Sequence, residues 1–170
     1  MREGIRLGVD VGTVRVGVAV SDPDGIMATP VETLARASAS DKDVQRVAEL
    51  ADDARALEVV VGLPLNMKGE DTASTQAARA WANTLKRLRP ALRVILVDER
   101  LTSVSAHQSL HASGVAGRKH RQHVDQQAAV LILQAALETE RGTGRPPGLE
   151  VGGRKPRARR RTSEGDTHDA

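Results

Sequence analysis

The stretch Ile5-Arg-Leu-Gly-Val-Asp-Val-Gly-Thr-Val-Arg-Val-Gly-Val-Ala-Val-Ser21 holds two short Val-rich runs, Ile5 to Val11 and Arg15 to Ser21, parted by Gly-Thr-Val. That pattern predicts a β-hairpin. Met27 to Leu34 offers a third strand, so the chain is expected to open as an antiparallel meander. Downstream the period changes. Ser40 with Asp43 has the form of a capping box, and Val44, Val47, Ala51, Ala54 and Leu57 recur every three or four residues, which predicts a helix over 41–57. Val59 to Leu63 reads as a buried strand and Pro64 to Gly69 as a loop. Ala78, Trp81, Leu85 and Leu88 mark a helical stripe that ends before Pro90, and Arg93 to Val97 is another apolar strand. Thr102 or Ser103 is suited to cap a helix that stops near Gly114, and a strongly apolar helix is expected from about Val124 to Leu137. A meander followed by alternating helices and strands implies an α/β fold, with a mixed five-stranded sheet and helices on both faces.

Length and composition narrow the function classes. At 170 residues and 39% hydrophobic content, one globular domain is expected over 1–140. Residues 141–170, rich in Gly, Pro and Arg and ending in the run RKPRARRR at 154–161, are expected to form a disordered basic tail. The first 140 residues carry 17 Lys+Arg against 18 Asp+Glu, and the last 30 carry 8 against 4, so the basic surplus sits in the tail. The absence of Cys removes disulfide, thiolate-metal and cysteine-nucleophile chemistry and is compatible with a reducing compartment. With no apolar leader and no long uninterrupted apolar span, a cytoplasmic protein that does not engage the membrane is expected. Trp81 is the only aromatic residue, which excludes stacking of bases on Phe or Tyr, so any nucleic acid is expected to be held mainly through its phosphates.

Acidic residues carry the chemical signal. Asp10 lies between Val9 and Val11 inside an apolar strand, where a carboxylate needs a cation or strong donors. A structural Asp bonded to the turn amides of Gly12 and Thr13 satisfies that need as well as a metal does. Asp98-Glu99 follows the Val94 to Val97 strand, at the strand end where open α/β sheets place their crevices. Alternation lets only one of the two share a face with Asp10, and a cap or a pair with Arg100 accounts for the other. Asp125 starts the last apolar helix, in line with Ala129, Ile132 and Ala136, and stabilisation of the helix dipole explains it equally well. Together, acids from a central strand, a strand end and a helix start suit one Mg²⁺ or Mn²⁺ ion or a pair, whose chemistry hydrolyses phosphodiesters without a His or Cys nucleophile.

The stretch Gly8 to Asp22, Val61-Gly-Leu-Pro-Leu-Asn66 with Gly69, Asp98-Glu-Arg-Leu-Thr102 and Asp125-Gln-Gln-Ala-Ala-Val-Leu-Ile-Leu133 resemble, in order, the motifs of the YqgF (RuvX-like) family, relatives of the RuvC Holliday-junction resolvases. The resemblance covers nearly all of residues 5–138. It implies an RNase H-like fold and a nuclease acting on the 5′ end of pre-16S rRNA, with junction resolution as the family's competing activity. It also implies Asp10, Glu99 rather than Asp98, and Asp125 as catalytic metal-binding acids, and Arg15 as the family's hairpin arginine. Val14 departs from the Lys common at that position, which removes a cation from the substrate side.

Around these acids, Asn66 and Lys68 in the Pro64–Gly69 loop, Arg100, and Arg118 with Lys119 in a basic loop ahead of Asp125 are candidate phosphate contacts, each with a solvated or structural alternative. His107 with His111, and His120 with His123, are better read as solvated or phosphate-contacting than as metal ligands. Expected partners are structured RNA or branched DNA, bound by a monomer or a homodimer. Two other readings remain open. One is a non-catalytic nucleic-acid-binding factor of transcription or ribosome assembly. The other is an ATPase suggested by Asp10-Val-Gly-Thr13, which a chain supplying one domain disfavours.

Overall fold

A computed structural model of the protein describes residues 1–102 and 118–152, without the side chains of 118–125. Strands β1 (Arg6–Val11), β2 (Arg15–Ser21) and β3 (Ala28–Ala35) form the expected meander. Helix α1 (Lys42–Ala54), β4 (Glu58–Leu63), α2 (Ala73–Leu88), β5 (Arg93–Asp98), a single 3-10 turn (Glu99–Leu101), α3 (Arg118–Thr143) and β6 (Leu149–Glu150) follow. The sheet order is β3-β2-β1-β4-β5-β6. β1 pairs antiparallel with β2 and parallel with β4, β4 pairs parallel with β5, and β6 is antiparallel on β5.

Strand alternation sends the odd positions of β1 one way and the even positions the other. Leu7, Val9 and Val11 join Val59, Val61, Val94 and Leu96 in a core closed by α1 and α2. Val60, Ile95 and Val97 face the opposite side, where Ala128, Ala129, Ile132, Leu133 and Ala136 of α3 cover them. That second face needs a gap in the sheet. A methyl group placed on Gly8 would lie 2.6 Å from the Leu133 Cβ and 2.9 Å from the Ala129 carbonyl oxygen, so glycine lets the helix sit directly on β1.

Four expectations are corrected. The sheet has six strands rather than five, because β6 adds two residues to the edge and Val151 behind it is buried. Order therefore extends past 140: α3 runs to Thr143 and β6 follows, while residues 153–170, with the Arg-rich run, lie outside the described residues. Ser40 and Asp43 form no capping box. Asp41 caps α1 in a left-handed conformation with no side-chain bond, and the Asp43 carboxylate instead accepts from Trp81 Nε1 at 3.1 Å and Arg36 Nη1 at 2.9 Å. Last, α3 begins at Arg118 rather than near Val124, so residues 118–123 are helical backbone and not a loop. The helix expected between Thr102 and Gly114 falls almost wholly outside the described residues. No helix among those described is long and apolar enough to cross a membrane.

At the end of the sheet where β1 begins, α3 is fastened by ions. Glu140, buried, pairs with Arg2 at 2.8 Å and with the fully buried Arg6 at 3.2 Å, and the buried Glu58 pairs with Arg2 at 2.9 Å and Arg93 at 3.1 Å. The bond from Arg2, reinforced by its charge and that of Arg6, holds the Glu140 carboxyl down at about 2, well below its ordinary 4.5. Because the folded value is depressed, this stabilisation is present above pH 4.5 and is lost as pH falls toward 2. Glu140→Gln strands part of a buried positive charge and is expected to cost about 3 kcal/mol at pH 7, with a smaller difference from wild type at pH 3. Urea melts at the two pH values check it; equal losses at both would contradict the assignment.

Candidate active site

The candidate site residues lie at the opposite end of the sheet, where β1, β4 and β5 finish. Asp10 is the last even position of β1, on the same face as Gly8 and hence on the α3 side, and it is only 7% exposed. Its neighbour across β2 is Gly17. On β4, Val61 is paired with Val9, and Gly62 is the next residue along, as Asp10 is on β1.

Glu99 reaches this spot from the turn after β5. A methyl group on Gly62 would stand 2.6 Å from Glu99 Oε1 and 2.5 Å from the Ile132 Cδ1, so the carboxylate lies against the bare backbone of β4 under α3. Glycine leaves that space free, since a side chain there would push aside the carboxylate or the tip of Ile132. Glu99 is 7% exposed, and among the described residues no hydrogen-bond donor or cation is recorded on its carboxylate. Burial first, and the negative charge of Asp98 second, push it up to about 7. A largely buried carboxylate with no donor among the described residues, on the same side as a second buried acid, fits a hard divalent cation.

The two members of the Asp98-Glu99 pair are separated as alternation requires. Asp98 turns outward, caps the 3-10 turn by accepting from the Arg100 amide at 2.9 Å, and binds the Arg100 guanidinium at 2.7 Å. That bond holds the Asp98 carboxyl below the usual carboxylate range. Arg100 is thereby engaged, and its guanidinium packs over Gly69.

Asp125 belongs to α3 by its backbone, and its side chain lies outside the described residues. The helix direction is informative. Glu140 meets Arg2 and Arg6 at one end of β1, and Ala129 with Leu133 covers Gly8, so α3 runs antiparallel to β1. Residue 125, about one turn before Ala129, is carried toward the Asp10 end. Among the described residues no group of three or more potential metal ligands is gathered, which leaves Asp10 and Glu99 as the pair in view.

Of the phosphate-contact candidates, Arg15 opens β2 and is half-buried, and Lys68 is exposed on the loop after β4. Asn66 is consumed by its own loop: its side-chain oxygen accepts from the amides of Lys68 at 3.0 Å and Glu70 at 2.9 Å, and its nitrogen donates to Glu70 at 3.1 Å. The side chains of Arg118, Lys119, His120 and His123 lie outside the described residues, as do His107 and His111. Met67, passed over in the sequence, is fully solvent-exposed on this same loop.

A mixed sheet of this order, with helices on both faces, is that of the RNase H-like α/β fold. The profile of the family described as "RuvX: Holliday junction resolvase" matches residues 4–139, and the chain belongs to that family. Among its relatives, the "Putative pre-16S rRNA nuclease" of Clavibacter sepedonicus is 54% identical over 153 residues, covering 89% of this chain and 93% of the relative. The protein of the same description from Leifsonia xyli is 52% identical, covering 89% and 96%. In fold, the chain is similar to the Thermus thermophilus RuvC solved with a Holliday junction substrate, with a TM-score of 0.52 and 14% identity over 87% of this chain and 99% of that one.

Proposed function

We propose that the chain is a divalent-metal-dependent nuclease that processes the 5′ end of pre-16S rRNA during ribosome biogenesis, in the cytoplasm. The observation that carries this reading is the buried Glu99 carboxylate, which has no donor among the described residues and lies on the face that bears Asp10. The RNA substrate is taken from the descriptions of relatives that are more than half identical over most of the chain.

Asp10, Glu99 and Asp125 are the oxygen donors that would hold Mg²⁺ or Mn²⁺. Such ions supply activation of water and stabilisation of the leaving oxygen in phosphodiester hydrolysis. The protein's own part is to keep the donors fixed and dry. Gly62 makes room for the Glu99 carboxylate, Ile132 closes over it, and the Asp98–Arg100 pair anchors the turn that carries it. Arg15, Lys68, Arg118 and Lys119 supply charge for flanking phosphates, with Arg100 partly neutralised by Asp98. Asn66 shapes the loop that presents Lys68.

The second reading, junction resolution, is favoured by the family description and by the RuvC neighbour. A resolvase cuts two strands symmetrically and calls for a homodimer, whereas trimming one RNA end suits a monomer. Side-by-side cleavage of a precursor rRNA 5′ segment and a four-way DNA junction, with Mg²⁺ or Mn²⁺ and with chelator, separates the two. Metal-dependent cutting of the RNA alone, lost in Asp125→Asn, is expected. Paired incisions in the junction alone would transfer the assignment to resolution, and binding of RNA without cutting under any condition would support the non-catalytic role.

A further inference from the structure

Met67 is 97% exposed, the most exposed of the large apolar side chains among the described residues. A lone apolar residue on a surface is ordinary. Its mounting is not. The loop leaves β4 two residues after Gly62 and is closed by a bridge between Leu65 and Asp71, by the Asn66 amide on the Glu70 carbonyl at 3.1 Å and the Gly69 amide on the Asn66 carbonyl at 2.9 Å, and by the Asn66 side-chain bonds. Gly69, at φ 79°, completes the turn, and the Arg100 guanidinium rests on it 3.0 Å from where a Cβ would be. The loop is therefore fixed against the residue that follows Glu99. With Asn66 turned inward, the tip presents an apolar side chain, Met67, next to a cationic one, Lys68.

That pairing matches the two surfaces of a nucleotide, an apolar base face and a phosphate. Stacking on Phe, Tyr or Trp is unavailable to this chain, because its one such residue, Trp81, is buried with its Nε1 bonded to Asp43. Met is unbranched and polarisable, able to lie on any base, and apolar wedges of this kind open base steps elsewhere. Resting on the nuclease reading above, we infer that Met67 packs on the face of an unstacked nucleobase flanking the scissile phosphate. The site then takes a nucleotide that has left its helix, and Met67 acts as a substrate-positioning residue.

The test compares wild type, Met67→Ala, Met67→Leu and, as a control at the far end of the sheet, Ile26→Ala. Substrates are RNA oligonucleotides carrying either 2-aminopurine or an abasic residue at successive positions across the precursor 5′ segment. Met67→Ala is expected to lower kcat/KM about tenfold through KM, an effect of the size given by losing one buried apolar side chain, with unchanged melting temperature. Met67→Leu restores most of it and Ile26→Ala changes nothing. At one abasic position wild type falls to the level of Met67→Ala, and that variant falls no further. Binding in an Asp10→Asn background raises 2-aminopurine fluorescence at that position, and Met67→Ala removes the rise. Losses in Met67→Ala that are the same with and without the base, or fluorescence indifferent to residue 67, would overturn the proposal. The fluorescence change does not require cutting, so its presence in a protein that cleaves no RNA would sink the nuclease reading and leave the base contact standing.

Discussion

Asp10→Asn is expected to lower phosphodiester cleavage about 10³-fold or more, since ion-borne stabilisation of the transition state is worth several kcal/mol and each 1.36 kcal/mol is a factor of ten. The amide keeps the size and shape of the side chain while removing the negative charge. Val9 and Val11, on either side, point into the other core and are untouched by the change. The fold should therefore persist, checked by circular dichroism and a cooperative melt. Calorimetric titration with Mn²⁺ should show weakened binding in the variant. A variant that folds, binds Mn²⁺ as wild type does and cuts at the wild-type rate would remove Asp10 from the site, and with it the convergence of acids on which the hydrolytic reading stands.

How far the sequence discloses this arrangement depends on whether local pattern or distant contact decides each element. The hairpin and the parallel strands are legible because Leu7, Val9 and Val11 alternate with positions that need something else: a glycine under α3, then an acid. The choice between Asp98 and Glu99 is legible only to the extent that one must turn outward. Which one does so follows from Arg100, two residues on, which holds Asp98 at the surface. Asp43 misleads for the opposite reason. It stands where a capping box would use it, but Trp81, 38 residues away, and Arg36 claim its carboxylate. Strand β6 is illegible because two residues after a Pro-Pro-Gly run have no period of their own. Pairing with β5 and burial of Val151 create the strand. The start of α3 carries no local cap signal recognised ahead of Val124, so its first six residues read as a basic loop. Met67 goes unmarked because a composition with a single Trp and no Phe or Tyr suggests that nucleic acid is held mainly through its phosphates. Only the loop's hydrogen bonds and the Arg100 guanidinium resting on Gly69 show that the side chain is held out on a loop fixed in place.

The sharpest signature of a site shaped for a cation is a variant that gains stability as it loses function. Glu99 is ordinary at 4.5 when unfolded and stands at about 7 when folded, raised by burial and then by the Asp98 charge. Between those values the folded chain holds the extra proton, so raising the pH from 4.5 to 7 removes stability, and above 7 the whole loss is in place. Glu99→Gln carries no charge into that space and escapes the loss. In chelator at pH 8 it is expected to be more stable than wild type by about 2–3 kcal/mol, seen as a rise of roughly 5–10 °C in Tm. At pH 4.5 the two should melt nearly together. Divalent ions are expected to reverse the order at pH 8, because Mn²⁺ held by the ionised wild-type carboxylate would stabilise it by mass action, whereas the amide would gain much less. Cleavage by the variant should fall as far as in Asp10→Asn. A Glu99→Gln protein that melts below wild type in chelator at pH 8 would mean that the carboxylate is already satisfied by the protein itself, and a cation would then have no vacancy of charge to fill.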